Sequence, residues 1–115
     1  MRNEHEESEK RLQHILNAID SIERHVKDQN EQSFCENELL NNAVLFQFTV
    51  IGEALVHVEN EKLDNYDYSW FKVRAFRNMI AHEYFHIKLI AVWKIIKQDM
   101  PQLKLVVEQI LQNEF

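Results

Sequence analysis

Leu12, Ile15, Leu16, Ile19, Ile22 and Val26 recur three and four residues apart on a charged background, which is the pattern of one apolar stripe on a helix. The spacing predicts an amphipathic helix from about Glu6 to Lys27. The polar run Asp28-Gln29-Asn30-Glu31-Gln32 follows. A second stripe of Leu40, Val44, Phe48, Ile51, Leu55 and Val58 then predicts a helix over about Asn37 to Val58. Leu39, Ala43, Phe46 and Val50 make this helix apolar around much of its girth, so it is expected at the centre of a bundle. A polar linker from Asn60 to Tyr68 leads to Ser69, a residue suited to capping a helix. The third helix runs from about Trp70 to Ala81, with Val73, Phe76 and Ile80 apolar. A fourth, about Ile87 to Met100, offers Leu89, Val92, Trp93 and Ile96 to a core; Pro101 stops it or opens a fifth, Pro101 to Leu111. Short connections favour antiparallel neighbours, so the expected fold is all-α: an up-and-down four-helix bundle with a short fifth C-terminal helix.

Composition narrows this picture. With 115 residues, 45% of them hydrophobic, the chain has material for one core, and residues 1–115 are expected to form one domain. It holds one Gly and one Pro, too few for the turns of a many-stranded sheet. The glycine, Gly52, falls inside the second helix, where it costs about 0.5 to 1 kcal/mol relative to alanine. Close approach of another backbone there is the expectation. Cys35 stands alone, which rules out an internal disulfide framework, fits a reducing compartment, and reads as a buried or half-buried thiol. The N-terminus is charged (Arg2, Glu4, Glu6, Glu7, Glu9, Lys10, Arg11), unlike a signal peptide, and no apolar run approaches the roughly 18 residues of a membrane span. A cytoplasmic protein is expected, with no membrane partner.

The formal net charge of -6 argues against a general nucleic-acid binder, whose affinity rests on Lys and Arg neutralising phosphates. The average hides a division. Residues 1–69 hold 6 Lys and Arg against 15 Asp and Glu, whereas residues 70–97 hold Lys72, Arg74, Arg77, Lys88, Lys94 and Lys97 against Glu83 alone. An anionic ligand belongs with the second group.

The same stretch carries the candidate chemistry, Arg77-Asn78-Met79-Ile80-Ala81-His82-Glu83-Tyr84. Asn78 and His82 share one helical row, and Arg77, Ala81 and Tyr84 the adjacent one. Arg77 and His82 are five apart, so they converge only if the arginine bends across Ala81 or the helix loosens near His82. Arginine presents a planar cation matched to phosphate oxygens, and histidine exchanges protons near neutral pH. RNA supplies its own 2′-hydroxyl nucleophile, so its cleavage needs proton transfer and charge stabilisation but no metal. Read blind, Arg77 is more often a surface salt-bridge donor and His82 more often a helix-end or partly buried histidine. Glu53, beside Gly52, reads either as an exposed charge or as a partner for Arg77 or Arg74. His82-Glu83-Tyr84-Phe85-His86 also spells H-E-x-x-H, the pattern of a helical zinc site. A catalytic zinc wants a third ligand; no His or Cys follows His86, and Asp99, Glu108 and Glu114 match no ligand spacing. No metal is expected. The remaining His5, His14, His25 and His57 are scattered and carry no assignment.

Several blocks in order complete the reading: Ile51-Gly52-Glu53-Ala54, Trp70, Arg77-Asn78 with Ile80-Ala81-His82-x-Tyr84-Phe85, Trp93, and Asp99-Met100-Pro101-Gln102-Leu103. From near Ile19 to Leu103 the chain resembles the HepT-like branch of the HEPN superfamily. The resemblance implies a helical bundle that dimerises so that two motif helices meet in an RNA-cleaving cleft. It makes Arg77 and His82 the catalytic pair of a metal-independent endoribonuclease toxin without a cofactor, with Asn78 and Glu53 supporting. It also implies a nucleotidyltransferase antitoxin that attaches AMP to Tyr84. The alternatives are a non-catalytic partner of a small nucleotidyltransferase subunit and, remotely, a zinc hydrolase. Two positions depart from the family pattern: Glu83 stands where glycine is common, and Tyr66-Asp67-Tyr68-Ser69 replaces a segment that usually contains proline.

Overall fold

The computed structural model describes residues 3–115; Arg2 of the charged N-terminal run lies outside them. Every regular element among the described residues is helical. The first helix, α1 (Glu4–Val26), is capped by Asn3, whose Oδ1 accepts from the backbone N–H of His5 at 2.9 Å. Leu12, Ile15, Ile19 and Ile22 of its stripe are wholly buried, each contributing about 1.5–3 kcal/mol relative to exposure. Asp28, at φ 64°, turns the chain after it, a conformation that aspartate tolerates better than most residues.

The gaps between the first three predicted helices, residues 28–36 and 59–69, each hold a short helix. In α2 (Glu31–Glu36) Asn30 and Ser33 cap one another reciprocally, the signature of a helix start. It buries Phe34 against Trp93, ring centroids 5.4 Å apart. The other is α4 (Asn60–Asp64), which buries Leu63. Between them lies α3 (Glu38–Val56), capped by Asn37. It runs antiparallel to α1: Ser8, near the start of α1, accepts from the Glu59 N–H at 3.0 Å just past the end of α3. All six residues of the predicted stripe, Leu40 to Val58, are buried.

The sequence reading of membrane spans needs a correction here. At 19 residues and a mean hydropathy of 1.5, α3 is long and apolar enough to cross a membrane. Half of that stretch is buried inside the bundle, because α1 packs along one flank of α3 and α5 along another. Its apolar surface is that of a core helix.

The third predicted helix is α5 (Trp70–His82), followed by a 3-10 turn at Tyr84–His86. Ser69 takes the cap position, although its hydroxyl makes no capping bond. The fourth and fifth predicted helices form one rod: α6 (Leu89–Lys94) passes through a π-helical turn, Ile95–Asp99, into α7 (Met100–Glu114). Pro101 offers no N–H to the Lys97 carbonyl, and its ring crowds that group. The helix widens just upstream, where the Met100 N–H bonds to Ile95 O, and so continues through the proline. The rod runs antiparallel to α1, with Lys104 Nζ bonded to Glu23 at 3.0 Å and the rings of His5 and Phe115 4.5 Å apart. Cys35 is half-buried, and burial, then Glu31 and Glu36, raise its thiol pKa.

Candidate active site

The site begins with a missing side chain. Gly52 is buried on α3, and a Cβ built on it would overlap Cβ and Cγ of Arg77, whose Cα lies 3.7 Å from that point. This is the close approach expected at the lone glycine, and it lets the root of Arg77 sit against the central helix. The guanidinium then forms an ion pair with Glu53, the next residue of α3. It also donates through Nη1 to Asn78 Oδ1 at 2.9 Å. Its Nε is buried without a hydrogen-bond partner, an arrangement that leaves one donor direction of a charged group unanswered. Of the two readings of Glu53, the structure shows the partner of Arg77, with the carboxylate side chain still 46% exposed.

Four anchors hold α5 in this position. Trp70 is buried and donates from Nε1 to Leu63 O at 3.0 Å. Phe76 meets Phe48 edge to face, centroids 5.1 Å apart. Ile80 is buried, and Gly52 admits Arg77. The remaining face of α5 is open. At 100° per residue Phe71, Ala75, Asn78, Met79 and His82 fall within a sector of about 100°, and all five are exposed.

His82 is the last residue of α5, and Glu83 closes the helix with its N–H on Met79 O at 2.8 Å. No hydrogen bond or ion pair among the described residues engages the His82 ring or links it to Arg77. The helix runs on through His82, so neither route to the convergence of Arg77 and His82 that the sequence left open shows as a bond between them, and only the segment after His82 leaves the helical row. Tyr84 consequently turns to α3, where its hydroxyl donates to Asn42 Oδ1, and it stays 39% exposed. Phe85 beside it is 95% exposed. Arg77, Asn78 and Glu53 thus form one group, Tyr84 and Asn42 a second, and His82 has no hydrogen bond or ion pair to either among the described residues.

Asn42 is the residue that sequence reasoning missed. Its one signal is a polar pair, Asn41-Asn42, on a largely apolar helix. Asn41 is buried and donates to Phe34 O at 3.2 Å, whereas Asn42 faces Tyr84. The H-E-x-x-H pattern loses its geometric basis, since the helix ends at His82 and His86 closes a separate 3-10 turn. Among the described residues no three His, Cys, Asp or Glu side chains converge as metal ligands.

Comparison with known proteins identifies the family. The family model described as ribonuclease HepT-like matches residues 15–110. A protein of Methanocaldococcus jannaschii provisionally named an RNase is 32% identical over 98 residues, which span 84% of this chain and 90% of that protein. Another from the same organism, named a gamma-glutamylcyclotransferase and provisionally an RNase, is 33% identical over 94 residues. That match covers 81% of this chain but 42% of the relative, so the chain spans less than half of its length. A probable ribonuclease HepT of Thermococcus cleftensis is 29% identical over 94 residues, 81% of this chain and 86% of that protein. No solved structure matches the chain. An all-helical bundle, a glycine-seated arginine five residues before a helix-end histidine, and a family model spanning most of the chain lead to one conclusion: the chain belongs to the HepT-like ribonuclease family.

Proposed function

We propose that this chain is a metal-independent endoribonuclease toxin of a cytoplasmic toxin–antitoxin pair, cutting RNA with Arg77 and His82 in a cleft between two copies. The observation that carries the reading is the seat of Arg77. A buried glycine, an ion pair and an asparagine fix its guanidinium, and five residues on, at the helix end, stands an exposed, unengaged imidazole. In this scheme His82 takes the proton of a 2′-hydroxyl as that oxygen attacks the adjacent phosphorus. The phosphorus–O5′ bond breaks, the departing oxygen recovers a proton from an imidazole, and a 2′,3′-cyclic phosphate remains. Arg77 stabilises the charge that gathers on the phosphoryl oxygens, and Glu53 and Asn78 keep its fork aimed.

The open face of α5 supports the dimer. Phe71 and Met79 on this face are 67% and 45% exposed, and Phe85, in the 3-10 turn just past the helix, is 95% exposed, apolar surface of the kind that marks an interaction site. Because Asn78 and His82 share that stripe, a second copy packed on it brings two sets of site residues together. Tyr84, exposed and positioned by Asn42, is the acceptor for AMP from a nucleotidyltransferase antitoxin. The added phosphate would occupy the anion position at Arg77 and block RNA by charge and bulk.

A second reading has one observation in its favour. Glu53 already neutralises Arg77, and Glu83 adds an exposed acid at the helix end, which suits a non-catalytic bundle that binds and positions the nucleotidyltransferase subunit. Cleavage of a defined RNA in EDTA, wild type beside His82→Ala, separates the two. The nuclease reading expects a cyclic phosphate product and a loss on the order of 10²–10⁴-fold in the variant. No cleavage by wild type whose Tyr84 is free of AMP by mass spectrometry overturns it in favour of the partner role.

A further inference from the structure

A cavity of about 270 Å³ opens between α3, the start of α5 and the π-helical turn, and Arg77 is not among its lining residues. It has an apolar floor and a charged mouth. Phe48, Met100 and Leu103 of the floor are buried, and the Phe48 and Phe76 rings meet edge to face. Asp67, Asp99 and Lys72 line the cavity as exposed residues and therefore stand at its mouth, with the half-buried ring of Tyr68 among them. None of these three charges has an ion pair or a side-chain hydrogen bond among the described residues. Asp99, Met100, Gln102 and Leu103, four of the five residues in the last of the sequence blocks, all line this cavity, and the ribonuclease site uses none of them.

An apolar cavity with a few convergent, unemployed polar groups is the common form of a small-ligand site. The charges here define what fits. Two carboxylates against one ammonium leave a net negative mouth, and a cation is held best where carboxylates and an aromatic face converge. Asp99 raises the pKa of the Tyr68 phenol in addition to its burial, so the negative field of Asp99 reaches the ring. The π-helical turn places Asp99 at the mouth, while Met100, one residue on, forms the floor. We propose that this cavity is a binding site for a small amphipathic amine: an apolar or aromatic body resting on Phe48, Phe76 and Met100, and an ammonium between Asp67 and Asp99 over Tyr68. Lys72 acts as the opposing charge that weakens the site for cations and sets its selectivity. The site is independent of RNA cleavage and persists whether or not the chain is a nuclease.

Saturation-transfer NMR on the full chain tests this with tryptamine, its neutral parent indole and the anionic indole-3-acetate. Tryptamine is expected to bind saturably with a Kd on the order of 1 mM, as suits its size, with indole weaker and indole-3-acetate weakest. Asp67→Asn with Asp99→Asn should weaken tryptamine about tenfold or more while leaving indole unchanged, and Lys72→Gln should tighten tryptamine. These side chains are exposed, so the variants are expected to keep the wild-type melting curve. No saturable tryptamine binding overturns the proposal. So does equal binding of the three ligands, or a double variant that binds tryptamine as wild type does.

Discussion

The helices α1 and α5 flank the same central helix, yet they use their residues in opposite ways. In α1 the stripe from Leu12 to Val26 is buried almost without remainder, and the outward face is charged. In α5 only Trp70 and Ile80 of thirteen residues are buried, and the outward face carries Phe71, Asn78, Met79 and His82. One helix is committed to the core, and the other is held by a few anchors so that its surface remains available. Stability and chemistry are therefore expected to separate along α3. The sharpest way to break this comparison is a pair of variants. Ile15→Ala, in α1, should lower unfolding free energy by about 2–5 kcal/mol while the folded fraction retains its activity. His82→Ala should leave the denaturation midpoint within about 0.5 kcal/mol of wild type and abolish cleavage. Chemical denaturation and an RNA cleavage assay on both proteins check this, and an Ile15→Ala protein that is folded but inactive would dissolve the distinction.

Gly52 is where the two roles meet, since its missing Cβ joins the core of α3 to the root of Arg77. Gly52→Ala gains helix propensity of about 0.5–1 kcal/mol, but the new methyl meets Cβ and Cγ of Arg77, and overpacking of this kind costs about 1–3 kcal/mol. The expected outcome is a net loss of stability together with reduced cleavage, because Arg77 must shift. A Gly52→Ala protein more stable than wild type and fully active would show that Arg77 is not seated there.

Much of this was legible in the sequence, and the misses have physical causes. The stripes of α1 and α3 were read correctly to within about two residues, since buried faces impose a period. Gly52 was readable as a close approach because a lone glycine inside an apolar helix needs a reason. The short helices α2 and α4 were hidden because polar residues dominate them and each buries one large side chain, Phe34 or Leu63. The proline at 101 reads as a stop, and only tertiary packing of the rod on α1 shows that a π-helical turn carries the helix through. Asn42 was invisible because its role depends on where Tyr84 turns after the helix ends, which no spacing rule encodes.

Among the anchors of α5, Trp70 offers a smaller and cleaner test. Its indole N–H is one of the donors to the Leu63 carbonyl in a buried setting. Trp70→Phe keeps an aromatic ring but removes this bond, while the Leu63 carbonyl still accepts from the Tyr66 N–H at 3.1 Å, so the cost is that of one hydrogen bond, about 0.5–1.5 kcal/mol. Amide exchange should rise across α5 more than across α1, and uniform exchange across both helices would mean that α5 is no less firmly held.

The smallest expected effect lies at the junction of α5 with the rod. Burial first, and then the charge of Asp99, raise the pKa of the Tyr68 phenol above its ordinary value of 10.0. A raised pKa in the folded state means that above about pH 10 the unfolded chain has released a proton that the folded chain retains. The neutral phenol therefore contributes fully below that pH, and its contribution is lost as pH rises through the folded value. Of the three tyrosines, Tyr68 should ionise late, visible as a delayed phenolate absorbance step that Tyr68→Phe removes. Asp99→Asn should move the step toward lower pH without eliminating the delay, because burial is the larger cause. The outward face of α5 has no part in this step, so His82→Ala should leave it where it is; a shift in that variant would mean that the two ends of α5 are coupled after all.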